Sequence, residues 1–404
     1  MAMQAPGTLL GDSSDAGRLD DEMAEITRHV SISTQCMLWG KSAGRCEFAG
    51  CNRPLWKSSI TQESVNVAQK AHIYSFSPRG SRGHQGIAKD ELNDISNLML
   101  ICHECHQKLD GPHGSFRYTA TLLRAMKSEH EERIERITGI AESKKSQILL
   151  YGANIGDHSS PLSYREAAPA LFPDRYPASD APIELSTVNS SFCDRDPEFW
   201  KLETENLRRK FEKRVRERLS LGELDHLSVF SLAPQPLLIL LGTLLGDIVP
   251  SDVYQRHREP PSWKWPSNFA TQEFELREPV TASGTPALVL ASSATVVEDR
   301  ITSLLGRDAS VWVVTLPTPH NDAVKSREQL SQLRSLLRSV FDRIKAVYSQ
   351  STVLHVFPAA AISAAVEFGR VRMPKADMPW LIYDQVNARG GFIPAISIPE
   401  GARQ

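Results

Sequence analysis

Two closely spaced pairs of cysteines constrain the fold of this chain more than any other feature. Cys46 and Cys51 form a C-x4-C pair, and Cys102 and Cys105 form a C-x2-C pair. Four thiolates arranged in two such pairs suit one tetrahedral site for Zn²⁺. Four unrelated buried thiols are the alternative, but isolated core cysteines do not usually occur as two closely spaced pairs. The spacing therefore predicts a structural zinc.

Three further polar residues occur in and around this segment: His72, Asn97 and His106. Taken alone, His72 is typical of a core histidine, and His106 of a zinc ligand or a helix cap. Taken together, they suit phosphodiester hydrolysis, since a neutral histidine can deprotonate water and a divalent metal can stabilise charge on phosphate. The run Asn97–Ile101, apolar after its first residue, predicts a short buried strand.

Residues 36 to 112 resemble the HNH nucleases, the ββα-metal family. The resemblance implies an α+β domain in which His72 is the general base and Asn97 orients His72 or approaches the metal. It also implies that His106 binds a catalytic Mg²⁺ or Mn²⁺. Many relatives have an acidic residue directly before the base, where this chain has Ala71, so the second protein ligand of the metal stays open. The residues that carry the resemblance are Cys46, Cys51, His72, Asn97, Cys102, Cys105 and His106, and the nearby candidates for the second ligand are His84, Asp90 and Asp94.

A glycine-rich basic loop runs from Pro78 to Gln85, between a first predicted strand that ends at His72–Ile73 and the second one. Its Arg79 and Arg82 could contact DNA phosphates, with the glycines letting the backbone approach. An ordinary solvated loop is the alternative. Because the net charge of the chain is only -2, a nucleic-acid surface must be local.

Length and composition are those of a water-soluble protein with more than one domain. The chain has 404 residues, and no apolar run approaches the ~20 residues of a membrane span. Residues Met1 to Asp21 lack the charged-then-apolar order of a signal peptide. Six cysteines, four of them assigned to zinc, indicate a reducing compartment. We therefore expect a cytoplasmic protein without membrane partners.

Beyond the cysteine-rich segment, helical and strand patterns alternate. Residues 115–142 predict one helix, either with a packed apolar stripe or with a dimer interface. From Ile148 onward, short apolar runs alternate with helical periodicity, which predicts an α/β domain. No G-x-G-x-x-G follows a predicted strand, which disfavours a dinucleotide redox cofactor.

The second half of the chain, roughly residues 147 to 388, resembles the SAVED domain. The resemblance implies two fused Rossmann-like (CARF-like) units that bind cyclic oligonucleotides made by bacterial nucleotidyltransferases. An HNH nuclease followed by SAVED is similar to the effectors of the bacterial anti-phage systems called CBASS. The segments that carry the resemblance are Val229–Gly242, Val253–Arg258, Trp263–Trp265, Phe357–Ala360, Glu367–Arg370 and Tyr383–Asp384.

Ligands of open α/β sheets bind beyond the carboxyl ends of the strands, where hydroxyls and backbone N–H groups suit phosphate oxygens. Trp263 and Trp265 could stack a base, although core packing is an equal alternative for both. Lys264, Arg256 and Lys325 could face phosphate. The complete set of candidate ligand-binding residues is Pro234, Gln235, Arg256, Trp263, Lys264, Trp265, Ser292, Ser293, Lys325 and Pro358.

Together these patterns predict a nuclease domain over residues 1–140 and a sensor domain over residues 141–404. The predicted function is cleavage of double-stranded DNA, switched on when a cyclic di- or trinucleotide binds and the homo-oligomer, at least a dimer, assembles further. A zinc-dependent DNA-binding regulator without catalysis is the main alternative, and a nuclease for modified DNA is another.

Overall fold

The computed structural model describes residues 30–75, 80, 82–83, 87–88, 91–156, 158, 162–187, 192–270, 272–386 and 391–399. Their contacts divide the chain into two units, Met1–Ile140 and Ala141–Gln404. Within the described ranges, no helix combines the length and the apolar character needed to cross a membrane.

The first unit is built around a two-stranded antiparallel hairpin. Its strands pair His72 with Leu98 and Ala68 with Cys102. All five residues of the second strand are buried, as the apolar run predicts. The elements of this unit are α1 (Ile32–Lys41), β1 (Ala68–His72), β2 (Leu98–Cys102), α2 (His103–Asp110), α3 (Gly114–Arg117) and α4 (Ala120–Thr138).

The helix expected over residues 115–142 is divided in two. The first helix ends at Arg117, and Thr119 caps the second by accepting a hydrogen bond from the Leu122 backbone N–H at 3.3 Å. In α4, Leu123 and His130 are buried, and His130 Nε2 lies 3.0 Å from the Ser42 carbonyl oxygen. The buried face of α4 is thus a packed stripe within its own unit.

The first sheet of the second unit is parallel, in the order β4-β3-β6-β7, with β5 also paired to β3. The charged and apolar residues from Asp196 to Leu219 also predict one helix, and a π-helical segment at Glu212–Arg216 interrupts it. The elements of this half are β3 (Lys145–Gly152), α5 (Tyr164–Ala167), β4 (Tyr176–Pro177), β5 (Ile183–Glu184), α6 (Pro197–Phe211), α7 (Glu217–Ser220), β6 (Leu227–Leu232), α8 (Gln235–Leu245) and β7 (Ser251–Val253).

A six-stranded sheet forms the second half, in the order β10-β12-β11-β13-β14-β15. Its four central strands are parallel, and β10 and β15 run antiparallel at the two edges. The second unit is therefore α/β, as predicted. Its elements are β8 (His257–Arg258), β9 (Pro261–Ser262), β10 (Glu275–Arg277), β11 (Pro286–Ala291), α9 (Glu298–Leu305), β12 (Ser310–Thr315), α10 (Arg327–Val347), β13 (Leu354–Ala359), α11 (Ile362–Arg370), β14 (Trp380–Val386) and β15 (Gly391–Ile398).

The sequence of residues 253–257 also predicts a single strand, and this prediction is wrong. The parallel strand β7 ends at Val253, and His257–Arg258 instead pairs antiparallel with Pro261–Ser262. Between them, the Tyr254 N–H still donates to the Val229 carbonyl at 3.0 Å, and Gln255 Oε1 accepts hydrogen bonds from Ser363 in the other half of the unit.

Helices α8 and α11 join the two halves of the second unit by direct backbone contact. A Cβ atom at Gly242 would lie 2.0 Å from the Val366 carbonyl oxygen, and one at Gly369 would lie 2.0 Å from the Ile239 carbonyl oxygen. Only glycine allows two helices to approach so closely. The pair therefore depends on both glycines.

Replacing Gly369 with alanine is expected to destabilise the second unit by about 1–3 kcal/mol, because the methyl group has no space and the helices must separate. Differential scanning calorimetry measures the effect as a lower melting temperature. Gly391→Ala is the matched control, since nothing lies within 4 Å of a Cβ there. Equal melting temperatures for the two variants would contradict this account of the helix pair.

Candidate functional site

The four cysteines of the first unit converge on one point. Their sulfur atoms all lie within 4.8 Å of one another, and the Cys51 and Cys102 Sγ atoms are 3.9 Å apart. Zn–S bonds of about 2.3 Å in a tetrahedron place sulfurs roughly 3.8 Å apart. The cluster is thus compatible with a zinc site, as the spacing predicts.

The surrounding backbone holds these thiols in place. The Cys102 backbone N–H donates to Cys46 Sγ at 3.3 Å, and the Cys51 N–H donates to the Phe48 carbonyl at 3.0 Å. Burial raises the pKa of the Cys46 thiol to about 12. A thiolate there requires nearby positive charge, which a bound Zn²⁺ would supply.

A second site lies beside the hairpin, as a cavity of about 330 Å³. His72, at the end of β1, and His106, in α2, both line this cavity. Lys70, Arg82 and Asp110 also line it. The structure therefore brings together two of the three predicted catalytic residues, with cationic side chains around them.

His72 has a defined partner in Asn93. The His72 Nε2 atom lies 3.1 Å from Asn93 Oδ1. An amide oxygen can only accept, so Nε2 carries the hydrogen, and Nδ1 is then the nitrogen that can accept a proton. Sequence reasoning missed Asn93, because nothing in its local pattern separates it from an ordinary turn residue.

Asn97 is buried and bonded to backbone. Its Oδ1 accepts from the Tyr74 N–H at 2.8 Å, and its Nδ2 donates to the carbonyls of Tyr74 and Leu92 at 3.1 and 3.0 Å. These bonds fix the chain just after His72 and just before Asn93. Asn97 thus holds the backbone next to His72 and next to its partner Asn93.

His106 is paired with Asp110, one helical turn later. The His106 Nδ1 and Asp110 Oδ2 atoms are 3.0 Å apart. A carboxylate that accepts from one ring nitrogen orients the other nitrogen and raises its basicity, as around many metal-bound histidines. The i,i+4 spacing on a predicted helix was the signal in the sequence that could have identified Asp110.

The two predicted DNA-contacting arginines have different outcomes. Arg79 lies outside the described residues, as do His84 and Asp90. Arg82 donates from Nε to the Ile73 carbonyl at 2.9 Å and from Nη1 to the Leu109 carbonyl at 3.4 Å. Burial lowers the pKa of Arg82.

Asp94, another residue considered for the metal, accepts from the Ser96 N–H at 2.8 Å and caps a short helical turn.

In the second unit, two predicted ligand-binding residues lie at the start of α11. Gln235 Oε1 accepts from the Ala360 N–H, and Ser292 Oγ accepts from the Ala361 N–H, each at 2.8 Å. Gln255 Oε1, which sequence reasoning missed, accepts from the Ser363 N–H at 3.1 Å. Side chains from both sheets thus meet at one helix terminus. Ser293 is half-buried beside this point, and Pro234 and Pro358 are buried.

The two tryptophans occupy different environments. Trp263 is buried, with 3% of its surface exposed, and packs edge-on against Phe230 at 5.2 Å between ring centres. Core packing, the alternative to base stacking, thus describes Trp263. Trp265 is half-buried and lies 5.5 Å from the ring of His257.

The three predicted cationic contacts also differ. The Arg256 guanidinium lies over the Trp263 ring at 5.6 Å and 3.5 Å from a Glu166 oxygen. Lys325 Nζ lies 3.6 Å from Asp322 Oδ2, and Lys264 is exposed. Arg256 and Lys325 therefore already have acidic neighbours that an anionic ligand would have to compete with.

Cys105→Ser is expected to remove zinc and unfold the first unit, because metal-binding free energy at such sites is folding free energy. Elemental analysis and the melting temperature measure both effects. Cys36→Ser is the matched control, since Cys36 is exposed and lies outside the cluster. A zinc-free Cys105→Ser protein that melts like the control would contradict a structural zinc.

A family model described as "SMODS-associated and fused to various effectors sensor domain", or SAVED, matches residues 207–398. No curated protein matches the chain.

Among solved structures, the Acinetobacter baumannii Cap4 SAVED/CARF-domain receptor with the cyclic trinucleotide 2'3'3'-cAAA is 14% identical, with a TM-score of 0.41, over 68% of this chain and 55% of that one. The Moraxella osloensis Cap4 receptor is 14% identical, with a TM-score of 0.36, over 68% and 54%. The phosphorothioation-dependent restriction endonuclease ScoMcrA is 17% identical, with a TM-score of 0.19, over 32% and 28%.

The chain spans little more than half of the length of these two Cap4 receptors. The family match lies entirely within the α/β unit, so residues 207–398 of this chain form a SAVED sensor domain.

Proposed function

We propose that this chain is a metal-dependent DNA endonuclease that a cyclic oligonucleotide activates through the SAVED domain. One observation carries the nuclease assignment: His72 and His106 line the same cavity, in the unit that also holds the four-cysteine cluster. The HNH resemblance of residues 36–112 supports the same assignment.

His72 would act as the general base. With Nε2–H held by Asn93 at 3.1 Å, the Nδ1 atom can take a proton from the water that attacks phosphorus. The bond from phosphorus to the leaving oxygen then breaks. Asn97 keeps the backbone on both sides of this pair in place.

His106 would bind the catalytic metal. Asp110 holds Nδ1 at 3.0 Å, which leaves Nε2 for a metal ion. A bound Mg²⁺ or Mn²⁺ would stabilise the negative charge on the phosphate and on the leaving oxygen. Asp110 also lines the cavity, where it would orient His106, and the second protein ligand of the metal stays open.

Arg82 and Lys70 would face the phosphate backbone of double-stranded DNA. Both line the cavity that contains the two histidines. Two backbone carbonyls restrain Arg82, which lowers the entropy lost when it contacts a phosphate oxygen. Arg79 is proposed as a further phosphate contact on sequence alone.

The SAVED match supports sensing of a cyclic di- or trinucleotide. The proposed pocket lies at the start of α11, where Gln235 from the first half of the unit and Ser292 from the second half accept from backbone N–H groups. A ligand that displaced these side chains could bond the same N–H groups through its phosphates. Trp265 and Lys325 are retained as further contacts. Gating requires that the ligand bind the active arrangement more tightly than the inactive one.

In this proposal the protein is a cytoplasmic effector of bacterial anti-phage defence that works as a homo-oligomer and assembles further when its ligand binds. A zinc-dependent DNA-binding regulator is the rival function. Such a regulator needs the cysteine cluster but not a cavity lined by His72 and by an Asp110-oriented His106.

His72→Ala is expected to lower the cleavage rate by about 10²–10⁴-fold, the usual contribution of a general base. The assay is plasmid cleavage with Mg²⁺ or Mn²⁺ across a panel of cyclic di- and trinucleotides. His103→Ala, an exposed histidine at the start of α2, is the control and should cleave like the unmodified protein. Cleavage by His72→Ala at the control's rate would contradict the assignment.

Asp110→Asn is expected to raise the Mn²⁺ concentration needed for cleavage by about 10–100-fold, because the carboxylate that orients His106 becomes a neutral amide and metal binding weakens. The measurement is the Mn²⁺ concentration that gives half-maximal cleavage. High Mn²⁺ should restore activity to Asp110→Asn but not to His72→Ala. An unchanged Mn²⁺ requirement would remove Asp110 from the proposed metal site.

A further inference from the structure

The SAVED unit carries a second groove, at the C-terminal end of α11, with a volume of about 1090 Å³. The candidate cyclic-oligonucleotide pocket is at the other end of the same helix, nine residues long. That length separates the two ends by about 13 Å. The groove is therefore a separate feature of the fold.

Cationic side chains dominate the lining. Among the described residues that form it, Asp247 is the one acidic side chain. The cationic members are Arg216, Arg334, Arg338, Arg370, Arg372 and Lys375. Such a concave cluster of guanidinium groups favours an anion, and bidentate recognition of phosphate is the chemistry that arginine suits best.

Buried carboxylates hold three of these arginines in place. Arg338 makes two hydrogen bonds to Asp377, at 2.8 and 2.7 Å, and the Nη1 atoms of Arg334 and Arg370 each lie 3.0 Å from Glu367 Oε1. Asp377 and Glu367 are 2% and 1% exposed. The guanidinium groups are therefore positioned before a ligand arrives, which reduces the entropic cost of binding.

Two donors at the groove are not satisfied. Arg372 is 6% exposed, and in the described structure its Nε has no hydrogen-bond partner. Arg216 Nε also lacks one, and its nearest acidic oxygen, on Glu212, is 3.6 Å away. Arg372 Nη2 donates to the Met378 and Pro399 carbonyls at 3.3 and 2.8 Å, so this guanidinium is held in place by backbone.

The backbone at Arg216 is unusual as well. Arg216 is the last residue of the π-helical segment Glu212–Arg216. Such segments are rare and occur frequently at functional sites, since the extra residue redirects the side chains that follow. The segment therefore marks the groove independently of its charge.

We propose that this groove binds a nucleoside di- or triphosphate. The arginines and Lys375 would bond the phosphate oxygens. Val371, Met373 and Pro374 provide an apolar surface for the base, and Met373 is 51% exposed. The volume is that of a pocket for one small molecule.

Isothermal titration calorimetry with ATP, ADP and inorganic pyrophosphate as probes tests this proposal on the full chain. The double variant Arg216→Gln, Lys375→Gln is expected to bind ATP at least about tenfold more weakly. Pyrophosphate should bind more weakly than ADP, because it has no base. Arg209→Gln is the matched control, since the Arg209 side chain is 77% exposed and lies outside the groove.

Three results would overturn the proposal. The first is no binding of ATP or ADP by the unmodified protein, and the second is equal affinities of the double variant and the control. The third is tighter binding of a DNA duplex than of ATP, with duplex binding lost in the double variant, which would assign the groove to a nucleic-acid backbone. If the double variant does not fold, Lys375→Gln alone answers the question, because Lys375 is exposed.

Discussion

The first unit depends on the point where four sulfur atoms meet. Cys102 ends β2 and Cys105 lies in α2, while Cys46 and Cys51 come from the loop after α1. A metal ion held by all four would fix the angle between the hairpin and α2, which a 140-residue unit with a small core has little other means to fix. His106 directly follows Cys105, so the same constraint sets its distance from His72. The proposed catalytic cavity is in this sense a consequence of the cluster.

The SAVED unit depends on α11 in a comparable way. Gln235, Ser292 and Gln255 accept hydrogen bonds from backbone N–H groups at its start. Its residues Val366 and Gly369 contact α8 at Gly242, and its last turn borders the arginine-lined groove. One short helix thus contacts both halves of the unit and both candidate ligand sites. A ligand that displaced the capping side chains would act on this helix first, which gives the proposed activation a physical starting point.

The sequence predicted the features that are local in the chain. The cysteine spacing predicted the cluster, and the apolar run Leu98–Ile101 predicted a fully buried strand. The sequence could not predict partners that are distant along the chain, such as Asn93 for His72 and Gln255 for Ser363, because only the folded chain brings them together. The ends of elements were also missed where one capping residue decides them, as Thr119 does by starting a new helix.

The tryptophans illustrate a further limit. Trp263 and Trp265 share one motif and looked equivalent, yet one lies in the core and the other is half-buried. Both tryptophans follow β9 and lie outside the strands, so the two-residue period of a strand, which would place both rings on one face, does not set their directions. The proposed pocket for a cyclic oligonucleotide is accordingly harder to predict than the cysteine cluster, whose four residues share one chemistry.

The central claim is that one ligand both binds the SAVED domain and activates the nuclease. It is tested most directly by measuring, on the same full-length protein and across one panel of cyclic di- and trinucleotides, the shift in melting temperature and the rate of plasmid cleavage with Mg²⁺. The account predicts that the compound giving the largest shift also gives cleavage, that inactive compounds give neither, and that His72→Ala keeps the shift and loses the cleavage. Cleavage that is independent of every compound, or a strong shift without cleavage, would contradict it.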